Sequence, residues 1–207
     1  MSFRPLSCVF LFTAASLLAS GVQDRSRDQA QATIKVDSKT PSTDIIMMDP
    51  GRVDASALPL TSVGSLHTTG TYQYVDEKTW RLKISGKGIA TPLSLSYEEL
   101  SAFPQASKRV LLICPGFFYD YLEWEGVPLE TLLDKAGAGD YERVVFTSVD
   151  GYAVTLKKAE AKDRFIIVAL KGNGVPLPRA HGFPARTVME GFYGSRWVKY
   201  LASITLE

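Results

Sequence analysis

Two cysteines and two histidines in 207 residues exclude more chemistry than any motif in the chain includes. Cys8 falls in an apolar N-terminal stretch and Cys114 lies far beyond it, so no disulfide framework is available. There is no Cys-x-x-Cys-His for covalent haem and no paired Cys-x-x-Cys for zinc. No Gly-x-Gly-x-x-Gly follows a strand, and Ser85-Gly-Lys-Gly88 lacks the spacing of a phosphate loop. A serine hydrolase would need His67 or His181 as its base, yet no Gly-x-Ser-x-Gly elbow occurs. Charge of one sign is also missing. Lys+Arg of 23 against Asp+Glu of 22 leaves no whole-chain basic field, which argues against nucleic acid as a partner. No run after the N-terminus reaches the ~18 apolar residues of a membrane span.

What is present begins with a leader pattern over residues 1–21. Arg4 supplies a positive n-region, Cys8 to Leu18 an apolar h-region, and Ala19-Ser-Gly21 a small-x-small cleavage site. No twin arginine precedes the apolar segment. The expected mature chain is periplasmic or secreted, without a stable membrane span. Residues 22–60 are polar and aperiodic, and read as a poorly ordered tether. Residues 61–207 carry apolar runs separated by Gly, Pro and Asp, enough for one domain with a sizeable core.

Within that domain, Trp80–Ser85 alternates as a half-buried strand does, and Leu93–Leu95 is a short strand. Ser96-Tyr-Glu-Glu99 is a capping box opening a helix that ends before Pro104. Val110–Cys114 is a continuous apolar run and reads as a buried strand. Pro128–Ala136 reads as a helix stopped by Gly137. Strands are expected over 144–149, 152–156, 165–170 and 198–206, with turns at Asp150-Gly151 and Gly172-Asn-Gly174. Many short strands with a few inserted helices define an α+β, mainly β domain. The order does not repeat β-α-β, so a Rossmann sheet is not expected.

Cys114, ending a buried strand before Pro115-Gly116, is by position core filler, a reactive nucleophile or a metal ligand. Gly and Pro around Arg179-Ala-His-Gly-Phe-Pro-Ala-Arg186 present His181 and Arg186 from an irregular loop, and a guanidinium is a fork suited to phosphate. Lys171, Arg179, Arg186, Arg196 and Lys199 face one acid, Glu190, between positions 171 and 200. That excess is either a solvated basic face or an anion site.

Taken in order, the segments resemble a family. They are Cys114 after its strand, Trp124-Glu-Gly-Val-Pro-Leu129, the Leu132–Gly137 helix end and Asp150-Gly-Tyr152. Asn173-Gly-Val-Pro-Leu177, His181-Gly-Phe-Pro-Ala-Arg186 and Tyr193-Gly-Ser-Arg-Trp-Val-Lys199 follow. Together they resemble the sulfite oxidase-type molybdopterin-binding domain over roughly residues 66–207. The resemblance implies a fold of mixed sheets with short inserted helices. It also implies a molybdenum-molybdopterin cofactor and oxygen-atom transfer on a small sulfite- or sulfoxide-like substrate. A separate haem or quinone-linked protein would carry the electrons. On this resemblance Cys114 matches the thiolate ligand of molybdenum, a soft donor suited to a metal already held by dithiolene sulfurs. His181 and Arg186 match residues on the pterin and its phosphate. Trp197, Val198 and Lys199 match a phosphate-holding stretch that uses backbone N–H groups and the lysine. Asp150 stands at a pterin-contacting position, with Ser148 as its neighbour. His67 and Thr68 stand where the family has Arg-Asn-His. The alternative is a cofactor-free binding or structural module on the same fold.

Overall fold

A computed structural model describes residues 32–207; the expected leader and the first part of the expected tether lie outside the described residues. The chain opens with β1 (Ile34–Asp37), α1 (Ser42–Ile45), β2 (Val53–Ala57), β3 (Leu82–Gly86), β4 (Leu93–Leu95) and α2 (Tyr97–Ser101). It continues through β5 (Ala106–Cys114), β6 (Phe118–Pro128), α3 (Leu129–Lys135), β7 (Arg143–Ser148), β8 (Ala153–Lys157) and α4 (Lys158–Lys162). The last elements are β9 (Ile166–Gly172), β10 (Val175–Pro176), β11 (Arg186–Met189) and β12 (Leu201–Leu206). Strands dominate, as the sequence implies.

Two five-stranded sheets carry the frame. One runs β4-β3-β12-β7-β8; β12 pairs parallel to β3 and antiparallel to β7. The other runs β10-β9-β6-β5, with β11 also on β9. The capping box at Ser96 forms in both directions, with Glu99 N–H on Ser96 Oγ and Ser96 N–H on Glu99 Oε2. Gly137 takes φ +63 after α3, the left-handed stop that a glycine accepts most cheaply. Leu82, Ile84, Phe146, Leu201 and Ile204 of the first sheet share one core with Leu122, Trp124, Ile167 and Val168 of the second.

The hairpin of β5 and β6 explains the apolar run at 110–114. Its register holds from Ala106 opposite Gly126 to Cys114 opposite Phe118. Side chains alternate across a strand, so Val110 and Leu112 enter the main core while Leu111 and Ile113 enter a second cluster with Tyr121. A strand buried on both faces reads as unbroken hydrophobicity.

What covers that second face is the segment expected to be a tether. Residues 34–58 fold, with β1 parallel to β2. Val36, Ile45, Ala55 and Leu58 are buried against Leu111, Ile113 and Tyr121. The apolar residues of 34–58 are one short run, Ile45–Met48, and otherwise scattered positions, and show no sustained period. They are recruited by the exposed back of the hairpin, a tertiary effect invisible in a local window. Ile45, fully buried, tests this packing. Ile45→Ala is expected to lower the free energy of urea unfolding by about 2–4 kcal/mol. A loss under about 0.5 kcal/mol would mean the segment contributes no packing.

Candidate functional site

Cys114 sits at the point where the hairpin turns. Pro115 and Gly116 occupy the middle of the turn, Phe117 N–H closes it on Cys114 O at 3.0 Å, and Gly116 takes φ +77. That left-handed value is what the third position of a type II turn demands. Alternation leaves Cys114 on the side of Leu112, toward the main core, and it is half-buried. Gly194 faces it from the next loop. A Cβ on Gly194 would lie 2.8 Å from Cys114 Sγ, so only glycine leaves that approach to the sulfur open.

Arg186 opens β11 beside it, with its guanidinium over the rings of Trp124 at 5.2 Å and Trp197 at 5.6 Å. The side chain is buried and donates one hydrogen bond, Nη1 to His181 O at 3.2 Å, while Nε has no partner. Burial pulls its pKa down to about 10, opposed by Asp120 and Cys114, so it remains charged at neutral pH. Gly182 allows this loop its geometry: at φ +108, a Cβ would lie 3.0 Å from that of Arg186.

Lys199 is half-buried on the same cleft and donates to Thr69 O at 2.8 Å and Ala180 O at 3.4 Å. Burial and then Arg186 lower its pKa. Burial, followed by Arg186 and Lys199, drives His181 down to about 4, so its imidazole is neutral at pH 7. Burial pushes the Cys114 thiol up, Arg186 opposes it and Asp120 adds to it. The free thiol is therefore protonated, which argues against an activated nucleophile.

The structure brings Cys114, His67, His181, Arg186, Trp197 and Lys199 to one small hollow of ≈ 50 Å³. Thr69, Gly194, Trp197 and Lys199 also line a larger hollow of ≈ 510 Å³ that continues to Ser148, Asp150 and Tyr152. The result is one elongated cleft with the sulfur at one end and Asp150 at the other. Thr68 stands above it, with Oγ1 3.4 Å from His181 Nδ1.

Two expectations change. The Trp197 and Val198 N–H groups are already engaged, by Gly194 O at 3.0 Å and by the buried hydroxyl of Thr187 at 2.7 Å. In this stretch Trp197 offers its ring and Lys199 its ammonium, while Val198 is buried structure. The cation excess also divides. Lys171 pairs with Glu125 and Arg196 with Glu160, and Arg179 donates to Val75 O and stacks on Tyr74. Of the five, Arg186 and Lys199 line the cleft.

Sequence reading missed Asp120. Its carboxylate is 3% exposed and accepts two bonds from His67, from N–H at 3.1 Å and from Nδ1 at 2.9 Å. Burial raises its pKa, against those hydrogen bonds. The available signal was an acid at the same strand parity as Leu122 and Trp124, on an inward face where acids are rare. Gly194 was quoted within its motif, but its closeness to the sulfur required the fold.

This donor set suits a ligand that is anionic, elongated and brings its own metal donors. Among the described residues no three His, Cys, Asp or Glu side chains cluster as a metal site. The orphaned Nε of buried Arg186 and the ammonium of Lys199 are placed for negative charge, and the shelf at Gly194 keeps the sulfur reachable. Fold and cleft together define a mainly β domain with a cationic cleft that ends at a sulfur.

Comparison with known proteins makes the class specific. The oxidoreductase molybdopterin binding domain matches residues 69–207, and the chain belongs to that family. It is similar to the mitochondrial sulfite oxidase of Macaca fascicularis, 31% identical over 163 residues covering 64% of this chain and 30% of that protein. The uncharacterized oxidoreductase YuiH of Bacillus subtilis is 30% identical over 156 residues, covering 74% of this chain and 78% of that protein. The chain thus spans under a third of the length of the sulfite oxidases it matches. The sulfane dehydrogenase SoxCD of Paracoccus pantotrophus superposes with a TM-score of 0.67 at 19% identity, covering 94% of this chain and 56% of that one. That likeness carries the fold.

The depressed His181 pKa has a consequence for stability. The fold favours the neutral ring, so the contribution is complete above the unfolded value of 6.5 and is lost as pH falls toward about 4. The urea midpoint of the wild type is expected to drop between pH 6.5 and 4 by more than that of His181→Gln. Equal drops would mean that the ring is not held neutral.

Proposed function

We infer that the protein is an exported oxidoreductase that binds molybdenum-molybdopterin in this cleft, with Cys114 as the protein's ligand to the metal. The observation that carries the reading is the buried guanidinium of Arg186, whose Nε has no partner, beside a sulfur left uncrowded by Gly194. A buried donor left unsatisfied is costly, and a cofactor phosphate or pterin oxygen would relieve it. Membership of the molybdopterin-binding family names the cofactor that fits.

Each residue has a task in this reading. Cys114 would hold the metal as a thiolate, since coordination would outweigh the upward shift that burial gives its thiol. Arg186 and Lys199 neutralise the cofactor's anionic groups, and neutral His181 offers a hydrogen bond without adding charge. Trp124 and Trp197, packed edge to face on each other, lie beside Arg186 and shield it from water. Ser148 and Asp150 supply polar contacts at the distal end of the cleft, and the Tyr152 hydroxyl closes that end on Ser195 O. His67 lines the sulfur end of the cleft, and Thr68 lies beside His181.

When bound, the cofactor supplies a two-electron metal centre able to add or remove one oxygen atom of a small sulfite- or sulfoxide-like substrate. The electrons pass to or from a separate haem or quinone-linked partner. Among the described residues no helix is long and apolar enough to cross a membrane. The pattern over residues 1–21 supports a periplasmic or secreted location.

Metal and pterin analysis of protein from its native host tests this. About one molybdenum and one pterin per chain are expected, falling at least ~10-fold in Lys199→Ala. Less than about a tenth of a molybdenum per wild-type chain, with no pterin fluorescence after acid denaturation, would leave a cofactor-free binding module instead.

A further inference from the structure

The wall of the cleft opposite Cys114 is a length of chain without regular strands. From Leu66 to Val75 the backbone forms no helix or sheet ladder. Its ends are fixed: Thr61 N–H donates to Tyr121 O at 2.7 Å and Asn173 Nδ2 to Thr61 O at 2.9 Å, while Arg179 Nη1 holds Val75 O at 3.1 Å. Between these anchors the segment is secured by side chains of the site itself. Lys199 Nζ donates to Thr69 O, Thr68 Oγ1 meets His181 Nδ1, Leu66 packs on the main core, and His67 is tied to a buried carboxylate.

His67 is held in an unusual way for a residue with a half-exposed side chain. One buried carboxylate, Asp120, receives both its backbone N–H at 3.1 Å and its ring Nδ1 at 2.9 Å. The ring stacks on Phe118, centroids 4.7 Å apart and 12° from parallel. Phe118 stands directly across the hairpin from Cys114, and Leu66, His67 and Thr69 line the hollow at the sulfur. An ionised carboxylate only accepts, so Nδ1 carries the proton and the ring is fixed in one tautomer. Lys199 has a competing task in the proposed site, since a cofactor phosphate would draw its ammonium away from Thr69. The attachment through Asp120 does not compete with any ligand in that way.

We propose that Asp120 is a positioning residue: its buried carboxylate clasps His67 by backbone and ring, and so holds residues 61–75 as a strap closing the cleft over Cys114. The strap then stays closed whether or not Lys199 is drawn to an anion. The inference rests on the proposed function only for what the cleft holds. The clasp itself belongs to the chain without its cofactor.

The test uses full-length protein from cells blocked in pterin synthesis, in which Cys114 is a free thiol. Alkylation by iodoacetamide, followed on the Cys114 peptide by mass spectrometry, reads how well the strap covers the sulfur. Asparagine places an amide nitrogen where the histidine has Nδ1, whereas glutamine places it one bond too far. His67→Asn is therefore expected to alkylate within about 3-fold of the wild-type rate, and His67→Gln at least ~10-fold faster. Asp120 raises the Cys114 pKa and is itself held down by the His67 hydrogen bonds, so the rates are compared per thiolate, after titrating Cys114 in each variant. Asp120→Ala is expected to match or exceed the glutamine variant. If that variant fails to fold, the Asn/Gln pair still decides, because His67 is not part of the core. Equal rates for Asn and Gln, fast or slow, or a faster Asn variant, overturn the clasp. Absence of molybdenum from the native protein would overturn the proposed function and leave this result untouched.

Discussion

A guanidinium buried with a single hydrogen bond is the constraint around which this site is organised. Asp120 favours the charged form of Arg186 from nearby, but its hydrogen bonds come from His67 and not from the guanidinium. It is tolerated because two indole faces, Trp124 and Trp197, lie beside it and the Trp rings pack edge to face on each other at 5.7 Å. Cation–π contact of this kind recovers part of the lost hydration. The remainder is an unmet demand for negative charge at the sulfur end of the cleft. The charge of Arg186 also reaches outward: after burial it is the next cause lowering His181 and Lys199, and it opposes the upward shift that burial gives Cys114.

The hairpin of β5 and β6 converts this electrostatic arrangement into a position. Buried on both faces, it is held between the main core and the smaller cluster built by residues 34–58. Its turn is the first point at which the strand escapes packing, and Cys114 is the last residue before that turn. A sulfur there is rigidly placed yet reachable. The N-terminal segment thus acts on the site indirectly, by fixing the back of the strand whose end carries the thiol.

Much of this was legible in the sequence, and the reasons are local. The capping box at Ser96, the apolar run at 110–114 and the Gly137 stop each depend on neighbouring residues, so they read correctly. The family's ordered motifs located Cys114, His181, Arg186 and Lys199, all of which share the cleft. What escaped depends on distant contacts. Residues 34–58 fold only because Leu111, Ile113 and Tyr121 present an apolar back to them. The 11-residue strand β6 carries three acids (Asp120, Glu123, Glu125) and a glycine, Gly126, that disguise its alternation. The N–H of Val198 looked available until Thr187 was found beneath it, and Asp120 gave no motif at all.

The central claim is that Cys114 is a metal ligand in a cleft built for molybdopterin, and the sulfur count at the metal tests it most directly. X-ray absorption at the molybdenum edge of the native protein should show about three sulfur neighbours, two from the pterin dithiolene and one from Cys114. The same measurement on Cys114→Ser should show about two. An unchanged sulfur count in the variant would contradict the assignment of Cys114.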